Sequence, residues 1–459
     1  MRGASPAAEH KTRRRQGGAA LQSDIRHPTS DIPRRAVVVS FDQLHSGFLG
    51  CCGNDWIETP NFDRLAAEAV FFDQHFCENL DPGAANHAWW TGQYQFPLAE
   101  DRQGAAPAFV EALRARAVRS CLIAESDGRD GSLVAPPFDE VLTVRGADGF
   151  DVAESDTPFA CVVRRCDEWL RESAGNNRPA LLWIKSRGVP IPWVPPQDFA
   201  ELYLAEFGLA DEAPPAEPDD DQEFEASPPA SREREGPQEE ADGSLDWRYA
   251  AAMYAAYMTL IDRWLGVLLE TLRESPGWED ALLIVTAAAG QELGEHGPLG
   301  EEALLLRSES AQSPLWVCIP GSDQRGTRRQ ALVQTIDLPP TLREWFAGGT
   351  AAGGSGPAAD APLAGHSLLA VVRNEAVVPR PFVVLGTGRA ECGIRTPTFF
   401  YVEPGDQNPE PEPPPPRLFE KPHDRWDQSD VLSQYPQVAE ELQRLLRRQI
   451  DELTALRPG

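Results

Sequence analysis

Apolar positions along this chain follow two alternating rhythms. Short β-branched runs read as strands buried on both faces, and between them apolar residues recur every three to four positions, as on one face of a helix. The first run, 36–41 (AVVVSF), ends in Asp42-Gln43. It predicts a parallel strand that delivers an acidic residue at its C-terminal end, where open α/β sheets place their sites. Thr59 then stands as an N-cap with Pro60 at the first helical position, and Phe62, Leu65 and Ala69 form an apolar stripe before a second strand at 70–72. Further on, a helix over 108–119 and a strand over 120–124 make a βαβ step. A helix at 159–172 carries Val162, Val163, Cys166, Trp169 and Leu170 on one side, and 179–184 is another buried strand. The longest helical pattern, 245–275, has Met253, Tyr257, Leu260, Trp264, Leu268 and Leu272 in register, and it feeds a strand at 281–286 that is central by composition. Near the end, 380–385 and 397–402 read as antiparallel strands, and 436–456 as a helix with Val438, Leu442, Leu445 and Leu453 inward. The predicted fold is α/β, a mostly parallel central sheet with helices on both faces, plus a small C-terminal antiparallel sheet with a helix.

The segments that break these rhythms divide the chain. Residues 1–32 carry Lys11 and Arg13 to Arg15 with no apolar run behind them, which predicts a disordered basic arm and neither a secretory signal nor a membrane anchor. Residues 33–346 form the main domain, interrupted at 211–243 by a stretch rich in Pro and Glu that cannot bury enough surface to order itself. Residues 347–364 (Gly, Ala, Pro) are a linker, and 365–459 form the small C-terminal α+β unit.

Charge narrows the partners. The chain of 459 residues carries 71 acids against 42 bases, a net of −29, and over a third of the excess sits in 211–242, where 13 acids meet two Arg. Nucleic acid, anionic membrane surfaces and sulfated polyanions are disfavoured on electrostatic grounds, and an unknown protein partner is left open. The eight cysteines show no regular spacing, and Cys161 with Cys166 lack a second pair for zinc. Buried thiols and a cytoplasmic location are expected.

In the order strand, polar loop, TPNFDRLAAEAVFF (59–72) and ANHAWWTGQY (85–94), the first third of the chain resembles the N-terminal signature of sulfatases, within the alkaline phosphatase superfamily. LLIVTAAAGQELGEHG (282–297) is similar to that family's second metal segment, DLPPTL (337–342) to its following element, and GHSLL (365–369) with GIRTP (393–397) to the lead into its small C-terminal domain. The resemblance implies a nucleophile, a Cys or Ser oxidised to formylglycine in the pattern Cys/Ser-x-Pro-x-Arg. It also implies a calcium ion held by two Asp at the first strand end and an Asp with Asn or His at the later one.

This sequence departs from that pattern at each of those points. Counting back from Thr91-Gly92 puts Pro82 at the nucleophile position and Asn86 at the arginine, and Pro has no atom to oxidise. The metal positions read Asp42, Gln43, Ala288 and Ala289, whereas calcium wants six to eight oxygens. No cofactor is therefore expected, and no residue is assigned a catalytic role. Cys77 is a thiol outside any modification motif, and His87 beside Ala88-Trp89-Trp90 reads as packing. Val189-Pro190 stands where the family has its Pro-His, and Lys185 and Arg187 nearby are expected in surface ion pairs. Glu301 and Glu302 follow His296 where the family usually has a lysine. A remnant pocket is expected from Asp42, Gln43, Asn86, His87, Lys185, Arg187, Gln291 and His296. Three readings follow: a pseudoenzyme with a binding or assembly role, an active sulfuric- or phosphoric-ester hydrolase with a divergent site, or a small-molecule sensor using that pocket.

Overall fold

The computed structural model describes residues 34–96, 108–126, 138–209, 247–293, 305–348, 363–388, 390–405, 408 and 413–455. The basic arm, the acidic stretch 211–243, most of the linker and His296 lie outside the described residues. The strands are β1 (Arg35–Gln43), β2 (Val70–Phe72), β3 (His75–Phe76), β4 (Arg119–Glu125), β5 (Glu140–Val144), β6 (Ala180–Gly188) and β7 (Leu282–Ala289). They continue as β8 (Leu315–Cys318), β9 (Thr327–Arg329), β10 (Val333–Gln334), β11 (Val383–Gly386), β12 (Glu391–Arg395), β13 (Phe399–Pro404) and β14 (Arg417–Glu420). The helices are α1 (Pro60–Glu68), α2 (Pro82–Thr91), α3 (Ala108–Ala115), α4 (Pro158–Glu172), α5 (Gln197–Leu204), α6 (Trp247–Glu274), α7 (Ser308–Ala311), α8 (Leu338–Phe346), α9 (Leu369–Arg373) and α10 (Pro436–Ala455).

The main sheet has the order β5-β4-β6-β1-β7-β8-β2-β9 among the described residues, with β1 paired in parallel to both β6 and β7. Only β8 runs against its neighbours. Strand β1 is central, and its alternation splits the core. Val37, Val39 and Phe41 face the layer of α1, α4, α5 and α6, while Ala36 and Val38 face that of α2, α3, α8 and α9. Each large apolar side chain so removed from water contributes roughly 1.5–3 kcal/mol. A second sheet, β11-β12-β13-β14, is antiparallel and packs against α10, the predicted C-terminal unit.

Several expectations change once packing is considered. The expected strands at 383–386 and 399–404 lie in the small antiparallel sheet, with a further strand, β12, between them. Residues 368–372, assigned by sequence to the C-terminal unit, pack in the main core, where Leu368, Leu369, Val371 and Val372 meet the α8 layer. In α10 the deepest positions are Ala439, Leu442 and Leu446, so the stripe is rotated from the predicted one. Thr59 is the residue before α1, but its hydroxyl accepts from the Gly50 N–H (2.9 Å) and leaves the helix uncapped from its own end. Asp262 of α6 takes over, its carboxylate accepting from Asn61 N–H (3.0 Å) and Phe62 N–H (2.8 Å). Asp262→Ala is therefore expected to cost about 1–2 kcal/mol, the value of an N-cap, in a urea titration, whereas Thr59→Ala should cost less.

His75 gives the fold a pH dependence. Its ring is fully buried, its Nδ1 sits 2.9 Å from Ser313 Oγ, and burial pulls it down to about 4 from 6.5, aided by Arg380 against the Ser313 carbonyl and Asp337. The unfolded chain takes up this proton first, so the contribution is complete above about 6.5 and is lost as pH falls towards about 4. Denaturant midpoints across that window should fall, and the share on the order of 2–3 kcal/mol due to this ring should vanish in His75→Phe.

Candidate functional site

Side-chain alternation along β1 puts Asp42 on the same side as Val38 and Ser40, the side covered by α2. In β7, Ala287 pairs with Phe41 and Ala289 with Gln43, so Ala288 lies beside Asp42. On the other flank, Gln43 pairs with Gly188, whose φ of +77° and closeness to the Gln43 carbonyl (2.1 Å from where a Cβ would stand) exclude any side chain. The corner is closed by Lys185 of β6 and Asn86 of α2. Lys185 Nζ lies 2.7 Å from Asp42 Oδ2, and Asn86 Nδ2 donates to Asp42 Oδ1 at 3.2 Å.

These contacts decide what Asp42 can do. The lysine ammonium is itself the cation at the strand end, and its side chain is only 9% exposed, so it is a buried lysine on a half-buried aspartate and not the surface pair expected from sequence. Across from it, Ala288 packs its methyl group into the core that Ala85 and Trp89 of α2 build. One carboxylate already neutralised by lysine, with the Ala288 methyl group beside it, does not make up a calcium shell of six to eight oxygens. Among the described residues no group of three or more His, Cys, Asp or Glu side chains is placed to hold a metal.

Helix α2 begins at the position the resemblance assigns to the nucleophile. Pro82 occupies its first turn, and the preceding Asp81 caps it by accepting from the Gly83 N–H at 2.8 Å. A helix N-terminus attracts anions through its free N–H groups, but here a carboxylate already occupies that end and proline removes one donor. Cys77, the nearest thiol in sequence, is buried in the core with Phe76 and Leu385, and burial pushes its ionisation upward, away from the thiolate a nucleophile needs.

Of the expected pocket residues, the fold unites Asp42, Asn86 and Lys185. His87 is half-buried on α2 with Nδ1 3.2 Å from Gln95 Oε1, a packing and hydrogen-bonding place. Arg187 is drawn elsewhere, to Glu125 (2.5 Å) and Asp148 (2.9 Å). Burial opposes its charge, and the two carboxylates outweigh that and hold the guanidinium more firmly protonated. Sequence reading missed Glu125 and Asp148, although Glu125 stands at the end of the predicted strand 120–124, the position that already made Asp42 notable. Gln291 follows β7 and is 4% exposed, and among the described residues neither of its amide atoms, nor Asn86 Oδ1, has a hydrogen-bond partner.

Comparison with known proteins accords with this architecture. The sulfatase family model matches residues 34–349, and the chain belongs to the sulfatase family. It is 26% identical over 364 residues to the multifunctional alkaline phosphatase superfamily protein PehA of Trinickia caryophylli, covering 64% of this chain and 69% of that one. Over 411 residues it is 21% identical to the N-acetylglucosamine-6-O-sulfatase of Bacteroides thetaiotaomicron, 72% of this chain and 69% of that one. Among solved structures, BT4656 in complex with its substrate D-glucosamine-2-N,6-O-disulfate aligns at TM-score 0.68 and 18% identity over 93% of this chain and 99% of the other. The phosphonate monoester hydrolase of Agrobacterium radiobacter aligns at 0.65 and 20% over 91% and 96%. At these identities the structural likeness speaks for the fold.

Proposed function

We propose that this member of the sulfatase family hydrolyses no ester and uses the fold for binding or assembly with a protein partner. The observation that carries this is the Asp42–Lys185 pair with Ala288 beside it: the strand end that would polarise a sulfate holds its own ammonium ion instead. Proline at the start of α2 removes the nucleophile by the same reading. Eight cysteines without a disulfide suit a reducing compartment, so the cytoplasm is the proposed location. Among the described residues no helix is long and apolar enough to cross a membrane.

A panel of aryl sulfate, aryl phosphate and phosphonate monoester substrates tests the reading. No turnover above a heat-killed control is expected for the native protein, and mass spectrometry should find no formylglycine at any cysteine. Sulfate release that disappears on Asp42→Asn would overturn the proposal, and sulfuric ester hydrolysis would then be the activity the family supports. A second reading, a small-molecule sensor at the same corner, is favoured by Asn86 Oδ1 and the Gln291 amide, which find no hydrogen-bond partner among the described residues, since a buried polar atom without a hydrogen bond costs about 1–3 kcal/mol. A ligand bearing both a donor and an acceptor would satisfy them, and its binding should be lost in Asn86→Ala and Gln291→Ala.

A further inference from the structure

A second polar cleft opens where the main sheet meets the C-terminal unit. It is about 180 Å³ in volume, lined at one side by Phe72, Asp73 and Gln74 at the end of β2 and at the other by Arg395, Lys421 and Arg425, with Arg328 also in its wall. None of Asp42, Asn86 and Lys185 lines it. Four cations therefore converge on one small cleft in a chain whose net charge is −29.

Two of the four are compensated. Arg328 forks onto Asp73, with Nε at 2.9 Å and Nη2 at 2.5 Å from Oδ1, and Lys421 Nζ binds the Asp427 carboxylate and Ser308 Oγ (3.1 Å). The other two have no carboxylate within ion-pair distance among the described residues. Arg395 is only 4% exposed, yet its guanidinium meets the Thr396 carbonyl, Gln74 Oε1 (3.1 Å) and the face of Phe76, all of them uncharged. Arg425 is exposed, stacked on Trp426 with its carbon 4.4 Å from the ring centroid, and reaches the Cys52 carbonyl at 3.4 Å.

A buried guanidinium without a counterion is costly, because the desolvation of the charge is not returned by attraction to a fixed anion. Burial lowers the Arg395 ionisation to about 10, with Asp427 acting in the opposite direction, so the charge persists at neutral pH. Asp427 acts on this charge only from a distance, being held by Lys421, and among the described residues no carboxylate pairs with Arg395 directly. A mobile anion would supply the missing charge, and paired guanidinium forks suit the oxygens of a tetrahedral group. The volume falls below the ~300–1,000 Å³ of sites for drug-sized ligands, which points to a small anion or the anionic end of a larger molecule.

We propose that this cleft binds a phosphate or sulfate group between Arg395 and Arg425, separately from the Asp42 corner. The net negative charge that disfavours extended polyanions does not oppose it, because a small ion feels the local field over a Debye length of about 8 Å. The test is calorimetric titration of the full chain with inorganic phosphate and, in parallel, sulfate, at ionic strength held constant with chloride. One-to-one binding of either ion is expected. The exposed Arg425→Glu variant should weaken it by about tenfold or more, the loss of a charge-assisted contact, while Asn86→Asp, which adds a carboxylate at the Asp42 corner, should leave it unchanged. Tighter phosphate than sulfate would assign a phosphate monoester as the source, and the reverse a sulfate ester. No binding beyond chloride, equal affinity in Arg425→Glu, or loss in Asn86→Asp would each overturn the proposal.

Discussion

Replacement of Asp337 by alanine is expected to lower the stability of the protein by about 3–5 kcal/mol, the cost of leaving a buried charge without its partner. Asp337 is 0% exposed and holds four donors at once. Arg380 grips it with both guanidinium nitrogens, Nη1 to Oδ2 at 2.6 Å and Nη2 to Oδ1 at 2.5 Å. The backbone N–H of Gln334 donates at 2.8 Å, which closes the turn before α8, and that of His366 donates at 2.7 Å. The carboxylate thus ties the start of α8 to the segments that lead into α9 and β11. Burial acts against the charge on Arg380, and Asp337 outweighs it, so removal of the carboxylate exposes the full desolvation cost. Urea titrations of Asp337→Ala and of the double variant with Arg380→Met measure this. The double variant should recover part of the loss, because no bare guanidinium remains. A loss below about 1 kcal/mol for the single variant would show the pair to be peripheral to stability.

The second large effect concerns the Asp42 corner. Native protein should show no melting shift with millimolar calcium or magnesium, because among the described residues Asp42 brings its carboxylate to that corner alone and Lys185 is bound to it. The fourfold variant Gln43→Asp, Ala288→Asp, Ala289→Asn, Lys185→Gln rebuilds a cation site on the two strand ends that the register places side by side. Without metal it should be less stable, since each facing carboxylate pair repels by roughly 4 kcal/mol at ~4 Å and an effective dielectric of ~20. With calcium at a hundred times its dissociation constant it should regain about 2.7 kcal/mol. The threefold variant that keeps Lys185 should bind calcium more weakly, as the ammonium competes for Asp42. Neither should hydrolyse an aryl sulfate while Pro82 begins α2. A calcium-dependent melting shift in the native protein would refute the account of this corner.

Much of the scaffold was readable because burial leaves a local imprint. A strand covered on both faces must be apolar throughout, so β1, β4, β6 and β7 stand out as runs, and the 28-residue α6 shows its period over many turns. Short or edge elements carry no such imprint. Strand β5 alternates between half-buried and exposed positions, and β14 is four residues flanked by prolines and charges. The rotation of the α10 stripe has the same origin: Ala439 is buried because the helix approaches the small sheet there, and alanine carries little signal of its own.

For the site, the chain by itself determined which groups are present: a lone Asp42 at a strand end, alanines where a second set of ligands would stand, and proline at the start of α2. Residue chemistry suffices for that, since no packing can give a methyl group a lone pair. Tertiary structure decided how those groups are used. Lys185 meets Asp42 across 143 residues of chain, and Asp262 caps α1 across about 200, because strand register and helix docking fix which distant side chains share a corner. The unpaired charge of Arg395 belongs to the same level. An arginine shows its charge in the sequence, but whether a carboxylate lies within reach depends on a seam between two sheets that forms only when the chain is folded.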